Sequence, residues 1–190
     1  MPNWCNNTIS IKGSTNSIKD LWVQASICEG LLQAIKPMPE ILEGTTSPAP
    51  DDLDPVLRRT MIAQTGTDNW YDWCVKNWGV KWDVSLEGLE FTDNGDGTAE
   101  ISGWFDSPWG PPIEAYQQFA DDFDSCYLEA FYDEPGMVFV GCWDSEGGDD
   151  YYEYSDCTSK TLKNVVPEYL IEHFALDERM AEWEEEEEMV

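Results

Sequence analysis

Between Trp82 and Ser159 the chain carries twenty acidic residues and not one lysine or arginine. A strand built from such a segment must turn its apolar residues to one side and leave the carboxylates to water, because an unpaired charge is costly to bury. In YLEAFY, Leu128, Ala130 and Tyr132 share one side and Glu129 faces out; in YYEYS, Tyr152 and Tyr154 do the same and leave Glu153 outward. The imbalance is regional. Residues 1–82 hold 9 acids and 7 bases, residues 83–190 hold 30 acids and 3 bases, and the total is −29. Two parts of one chain are thus built under different electrostatic rules.

Apolar periodicity supplies the elements. Asn7, Ile9 and Ile11 alternate with Thr8, Ser10 and Lys12, a first strand ended by Gly13. Ile18, Leu21, Trp22 and Ala25 have helical spacing within a segment reaching Ile35, with Gly30 as an interruption and Pro37 as the stop. From Gly44 to Asp68 the composition shifts to Thr, Ser, Pro and Asp, which reads as a surface insertion with a short helix at 55–64. Thr67 or Asp68 can cap a short helix through Trp78, which ends at Gly79. A strand is expected over 81–91, with Trp82, Val84 and Leu86 on one face and a bulge at Gly88. The turn TDNGDGT leads to a strand over 99–105. SPWGPP opens a helix whose buried stripe is Ile113, Tyr116, Phe119, Ala120 and Phe123. CYLEAFY, MVFVGCW and YYEYS are three further strands, with turns at 133–136 and over DSEGGDD. Val166, Leu170, Ile171 and Phe174 mark a last helix, and WEEEEEMV a charged, frayed tail. The plan is α+β: a ferredoxin-like, mainly antiparallel sheet with helices on one face, the inserted loop, and a C-terminal acidic helix. Residues 1–175 form the domain, with its insertion at about 44–68, and 176–190 the acidic tail.

The run WYDWCVKNWGVKWD holds four tryptophans in fourteen residues. On a helix Trp70 and Trp73 neighbour one another, Trp78 lies on the flank, and Trp82 falls on the next strand, so the rings form no single platform. Core packing of Trp70, Trp73 and Trp78 is expected. Stacking on single-stranded nucleic acid would need basic residues to track the phosphates, and only Lys76 and Lys81 are near. The motifs MPNWCNN, PMPEIL, WYDWCVKNWGVKWD and SPWGPP, in that order over residues 1–142, resemble the YubB-like ferredoxin-fold proteins of phages and plasmids. The resemblance implies a ferredoxin-like fold and a mobile-element origin. It brings no catalytic residues.

Other chemistries find little support. Cys5, Cys28, Cys74, Cys126, Cys142 and Cys157 contain no CxxC pair and read as buried reduced thiols. His173 is the one histidine, so a zinc site lacks ligands. DNGDG at 93–97 fails the calcium-loop pattern, since positions three and five are glycines, and reads as a hairpin turn. Pairs such as Asp121/Asp122 and Asp149/Asp150 could act as acid and base or hold magnesium, but chance pairs are expected among 39 acids. There is no Ser/His/Asp set, P-loop or dinucleotide turn. No cofactor or metal is called for. No run approaches eighteen apolar residues and the N-terminus lacks a secretory pattern, so a cytoplasmic protein without membrane contact is expected.

Charge then sets the functional expectation. A folded chain of 21.7 kDa exposes about 9,000 Å², so an even spread gives one net charge per roughly 300 Å². A duplex carries about one per 100 Å². If the charges of residues 83–190 share one side, the spacing falls to about 170 Å² and approaches a duplex. The leading reading is a non-enzymatic, nucleic-acid-mimicking inhibitor of a host nuclease or defence complex, with a basic nucleic-acid-binding host protein as partner and no direct nucleic-acid binding. Its surface would comprise Glu129, Asp133, Glu134, Asp144, Glu146, Asp149, Asp150, Glu153 and Asp156, with Tyr127, Phe131 and Tyr151 as aromatic anchors. The alternatives are an accessory binding domain whose acidity serves solubility, or a carboxylate- or metal-dependent enzyme. Oligomeric state is left open.

Overall fold

The computed structural model describes residues 3–188, with the side chains of 187 and 188 outside the description. Its order begins β1 (Trp4–Ser14), α1 (Thr15–Cys28), α2 (Leu31–Ile35), α3 (Pro55–Thr65) and α4 (Trp70–Trp78). It continues β2 (Leu89–Asp93), β3 (Thr98–Pro108), α5 (Ile113–Asp122), β4 (Tyr127–Glu134), β5 (Phe139–Asp144) and β6 (Gly148–Glu153), and ends α6 (Glu168–Phe174), α7 (Leu176–Glu188). All strands join one antiparallel sheet in the order β2-β3-β1-β4-β5-β6. Read without α2–α4, β1 to β4 make the β-α-β-β-α-β unit of the ferredoxin-like plan, and β5–β6 extends it as a meander.

Alternation decides what each face buries. Ile9 and Ile11 of β1 lie opposite Ala130 and Leu128 of β4, and with Ile101, Tyr116 and Phe119 they form the larger core under α1, α2, α4 and α5. Opposite this face, α6 and α7 lie over the β4–β6 half of the sheet, with α6 reaching β1 at Thr8, and there Val140, Tyr154, Leu162, Val166, Leu170, Leu176 and Met180 make a second core. The sheet thus carries its expected helices on one face, and the C-terminal helices on the other. Ser14 caps α1 by accepting from the Ser17 N–H, and Glu29 ends it in the left-handed region. The segment 18–35 is two helices, interrupted at Gly30 as its sequence suggests. Asp83 fills the space a side chain at Gly30 would need and accepts from the N–H groups of Leu32, Gln33 and Val84 at 2.7, 2.9 and 2.7 Å.

That contact also corrects the strand expected over 81–91. Its strand begins only at Leu89, because tying Asp83 to α2 turns residues 79–88 into a loop. Val84 is buried, Leu86 half-buried and Trp82 exposed. In the tryptophan run Trp73 and Trp78 are core residues meeting edge to face at 5.5 Å, and the Trp78 indole N–H donates to the Lys36 carbonyl. Trp70 is half-buried, and Asn69 supplies the α4 cap expected from Thr67 or Asp68. The insertion holds α3, capped by Asp54. All six cysteines are free thiols, but only Cys5 and Cys74 are buried, and Cys28 is exposed. From 176 the chain is the expected C-terminal acidic helix, running through Glu188 and anchored by buried Leu176 and Met180 rather than frayed throughout as a tail. Met189 and Val190, the end of that tail, lie outside the described residues. No helix among the described residues is long and apolar enough to cross a membrane.

Candidate partner-binding surface

The β5–β6 hairpin brings most of the expected acidic residues to one sheet edge. Asp144 lies opposite Gly148, Cys142 opposite Asp150, and Phe139 opposite Glu153. Glu146, Asp149, Asp150, Glu153 and Asp156 are exposed, and Asp144 and Glu129 are half-buried. The described residues contain ion pairs at Lys12–Glu100, Arg58–Asp68 and Arg179–Asp133, and none involves an acid of this hairpin. The field is felt locally. Burial, then the carboxylates of Asp144, Glu129 and Glu146, push the Tyr127 phenol up; burial, then Glu153 and Asp149, do the same at exposed Tyr151.

Two expected members are elsewhere. Asp133 and Glu134 are 2% and 0% exposed, because β4 runs on through both and the turn comes after them. Asp133 faces the second core, where both Arg179 guanidinium nitrogens donate to it at 2.6 and 2.9 Å and the Tyr154 hydroxyl at 3.1 Å. Glu134 faces the other side and accepts from the Met137 N–H. Neither reaches a partner. Phe131 is also unavailable as an anchor, since α6 covers it with His173 stacked at 4.6 Å. Tyr127 is half-buried, which leaves Tyr151 as the open anchor.

Two surviving members have structural duties. Asp144 accepts from the N–H groups of Glu146 and Gly147 and shapes the hairpin turn. Asp149 accepts from the Tyr132 hydroxyl at 2.7 Å. Alternation also splits the set: Glu129, Asp144 and Asp150 point to the α6–α7 side, Asp149 and Glu153 to the α5 side. The acids of 83–124 lie away from the edge, on α5, on β2–β3 and in their connections. Over an accessible surface of 10806 Å², the net charge amounts to one per about 370 Å². The acids of residues 83–190 thus do not all share one side, the condition for a duplex-like spacing, and the β5–β6 hairpin forms one acidic edge.

Other features have local explanations. Thr8 Oγ1 and His173 Nε2 lie 2.8 Å apart, the reach of a nucleophile and base. Thr8 is paired through β1 on both sides, so no free strand N–H faces the pair, and the contact docks α6 on the sheet. In DNGDG, Asp93 accepts from the Gly95 N–H and Asp96 from the Thr98 N–H and hydroxyl, so both carboxylates shape the turn. Among the described residues no three His, Cys, Asp or Glu side chains converge on a metal position. A hollow of about 810 Å³ beside Gly13, Gly97 and Ser125 is open to solvent.

The fold and surface define an α+β protein of the ferredoxin-like class with an acidic sheet edge. Residues 81–190 match the family model described as the ferredoxin-like domain in Api92-like protein, and the chain belongs to that family. Among solved structures it is similar to that of a protein Api92 from Yersinia pseudotuberculosis, at 15% identity over 82% of this chain and 99% of that one, with a TM-score of 0.42. A search of the curated proteins finds no match.

Proposed function

We propose that this protein works by binding rather than catalysis, and that its β5–β6 edge engages the basic surface of a nucleic-acid-binding protein. In the phage or plasmid setting that the YubB resemblance implies, the target class is a host nuclease or defence complex in the host cytoplasm, and binding inhibits it. One observation carries the reading: residues 144–156 hold six acids and no base, and the described ion pairs leave all six free of a cation. Such an edge steers a basic groove toward it and repels nucleic acid. Exposed Tyr151, beside Phe139 at 5.2 Å, offers an aromatic contact within the charged rim.

The test uses residues whose carboxylates hold no backbone N–H or buried hydroxyl, Glu153 accepting only from the exposed Ser155 hydroxyl. Glu146→Gln, Asp150→Asn, Glu153→Gln and Asp156→Asn together remove four charges, whereas Asp144 and Asp149 hold the hairpin and stay. Wild type coupled to resin is expected to retain a basic nucleic-acid-binding protein from host lysate, released by salt and displaced by duplex DNA. The quadruple variant is expected to lose it. Equal retention by the variant, or tight binding of the wild type to DNA or RNA, refutes the reading.

A further inference from the structure

On the face that α6 and α7 cover elsewhere, no helix among the described residues covers β2 and β3, and α6 meets β1 at Thr8 through His173. Trp4 and Trp104 stand on this face, and Trp82 leans over it from the 79–88 loop, stacked on Trp4 at 6.3 Å. These indoles are 46, 60 and 41% exposed. They line a groove of about 340 Å³ whose charged lining is carboxylate alone: Asp83, Glu87 and Asp106. Asp83 is committed to α2, so Glu87 and Asp106 are the free charges.

The groove is built. The loop lies flat on β3, with the Trp104 N–H donating to the Gly88 carbonyl at 3.0 Å. A side chain at Gly88 would strike the Trp104 backbone and ring, and one at Gly103, whose φ is 141°, would strike Gly88. The indole is thereby laid against the loop. Three large apolar rings are held near water on a chain with 39 acids.

The lining chemistry selects the occupant. Indole faces attract cations, and the Lys81 ammonium already lies 4.3 Å from the Trp82 ring centre. A guanidinium is planar, stacks on aromatic rings and forks onto a carboxylate, whereas an ammonium meets a ring or a carboxylate only as a point charge. Phosphates would meet Glu87 and Asp106 with no base in the lining, which disfavours a nucleic acid. We propose that the Trp4–Trp82–Trp104 groove receives an arginine side chain from a basic protein segment, its guanidinium on the Trp104 face and hydrogen-bonded to Asp106 or Glu87. The β5–β6 edge lies beyond β1 and β4 in the sheet, so the two surfaces can be tested separately.

The probe is the capped peptide Gly-Arg-Arg-Gly, titrated calorimetrically into the full chain in salt that screens exposed charge pairs. Trp104→Ala leaves the net charge unchanged and is expected to weaken binding about tenfold. Asp106→Asn, nearly isosteric, serves should Trp104→Ala unfold, and is expected to weaken it comparably. The quadruple edge variant is expected to bind like wild type, and Gly-Lys-Lys-Gly several-fold more weakly than the arginine peptide. No binding of the arginine peptide, unchanged binding by both Trp104→Ala and Asp106→Asn, loss only in the edge variant, or occupation of the groove by oligothymidylate overturns the proposal.

Discussion

Replacing Arg179 by alanine should destabilise the fold by about 3 kcal/mol, at the low end of the cost of stripping a buried carboxylate of its partner. Asp133 is 2% exposed, and two of its three side-chain hydrogen bonds come from Arg179. Without the guanidinium, Tyr154 alone would face a carboxylate cut off from water. Arg179 is itself only partly buried, its side chain 25% exposed, so water can enter the vacated space and hold the loss to the lower end of the range. Part of the loss is packing, because the guanidinium also lies 5.3 Å from the centre of Trp183. Urea unfolding followed by tryptophan fluorescence measures the change. Asp133→Leu combined with Arg179→Met should recover much of it, since the buried charge and its partner leave together. A single Arg179→Ala variant within about 0.5 kcal/mol of wild type would refute the claim that this pair anchors α7.

Asp83→Ala should cost about 2 kcal/mol or more in the same assay, because three backbone donors lose one carboxylate. His173 should stabilise the fold only while neutral. Burial lowers its pKa from the usual 6.5, opposed by Glu129, so the unfolded chain takes up the proton first as pH falls. The stability difference between wild type and His173→Asn should therefore be full above 6.5 and shrink below it; a difference that grows in acid would reverse the assignment. In native protein a thiol reagent should modify Cys28 quickly and spare Cys5 and Cys74, whose burial pushes both thiols up, Cys74 to about 12; all six should react once unfolded.

The elements with clean local periodicity were legible in the residues. Ile9 and Ile11, the Ile113–Tyr116–Phe119 stripe, and Leu128–Ala130–Tyr132 all occupy the buried side their spacing demanded. What escaped depends on partners distant in sequence. Nothing near Asp83 announces that it will seat the start of α2, some fifty residues earlier, and so dissolve the first half of a strand. Nothing near Asp133 announces Arg179, although a lone base among the acids of the last helix was a signal to look for a buried acid. Tyr132 and Tyr152 were both assigned to a helical layer, but helices cover both faces, so the two rings bury on opposite sides. The acidic edge was legible for the residues in the hairpin turn and in β6. It failed where β4 outran its expected turn and carried Asp133 and Glu134 inside. Trp82 reads as a strand residue sharing a face with Val84 and Leu86, and only the open side of the sheet reveals how Trp4, Trp82 and Trp104 come together near water.

The central claim is that the β5–β6 edge captures a basic partner through its field. Stopped-flow association with the protein retained from lysate, over a series of salt concentrations, tests it most directly. The edge should act on encounter more than on residence, so Glu146→Gln, Asp150→Asn, Glu153→Gln and Asp156→Asn together should slow association about tenfold at low salt and flatten its salt dependence, with dissociation little changed. Association rates and salt slopes identical to wild type would contradict it.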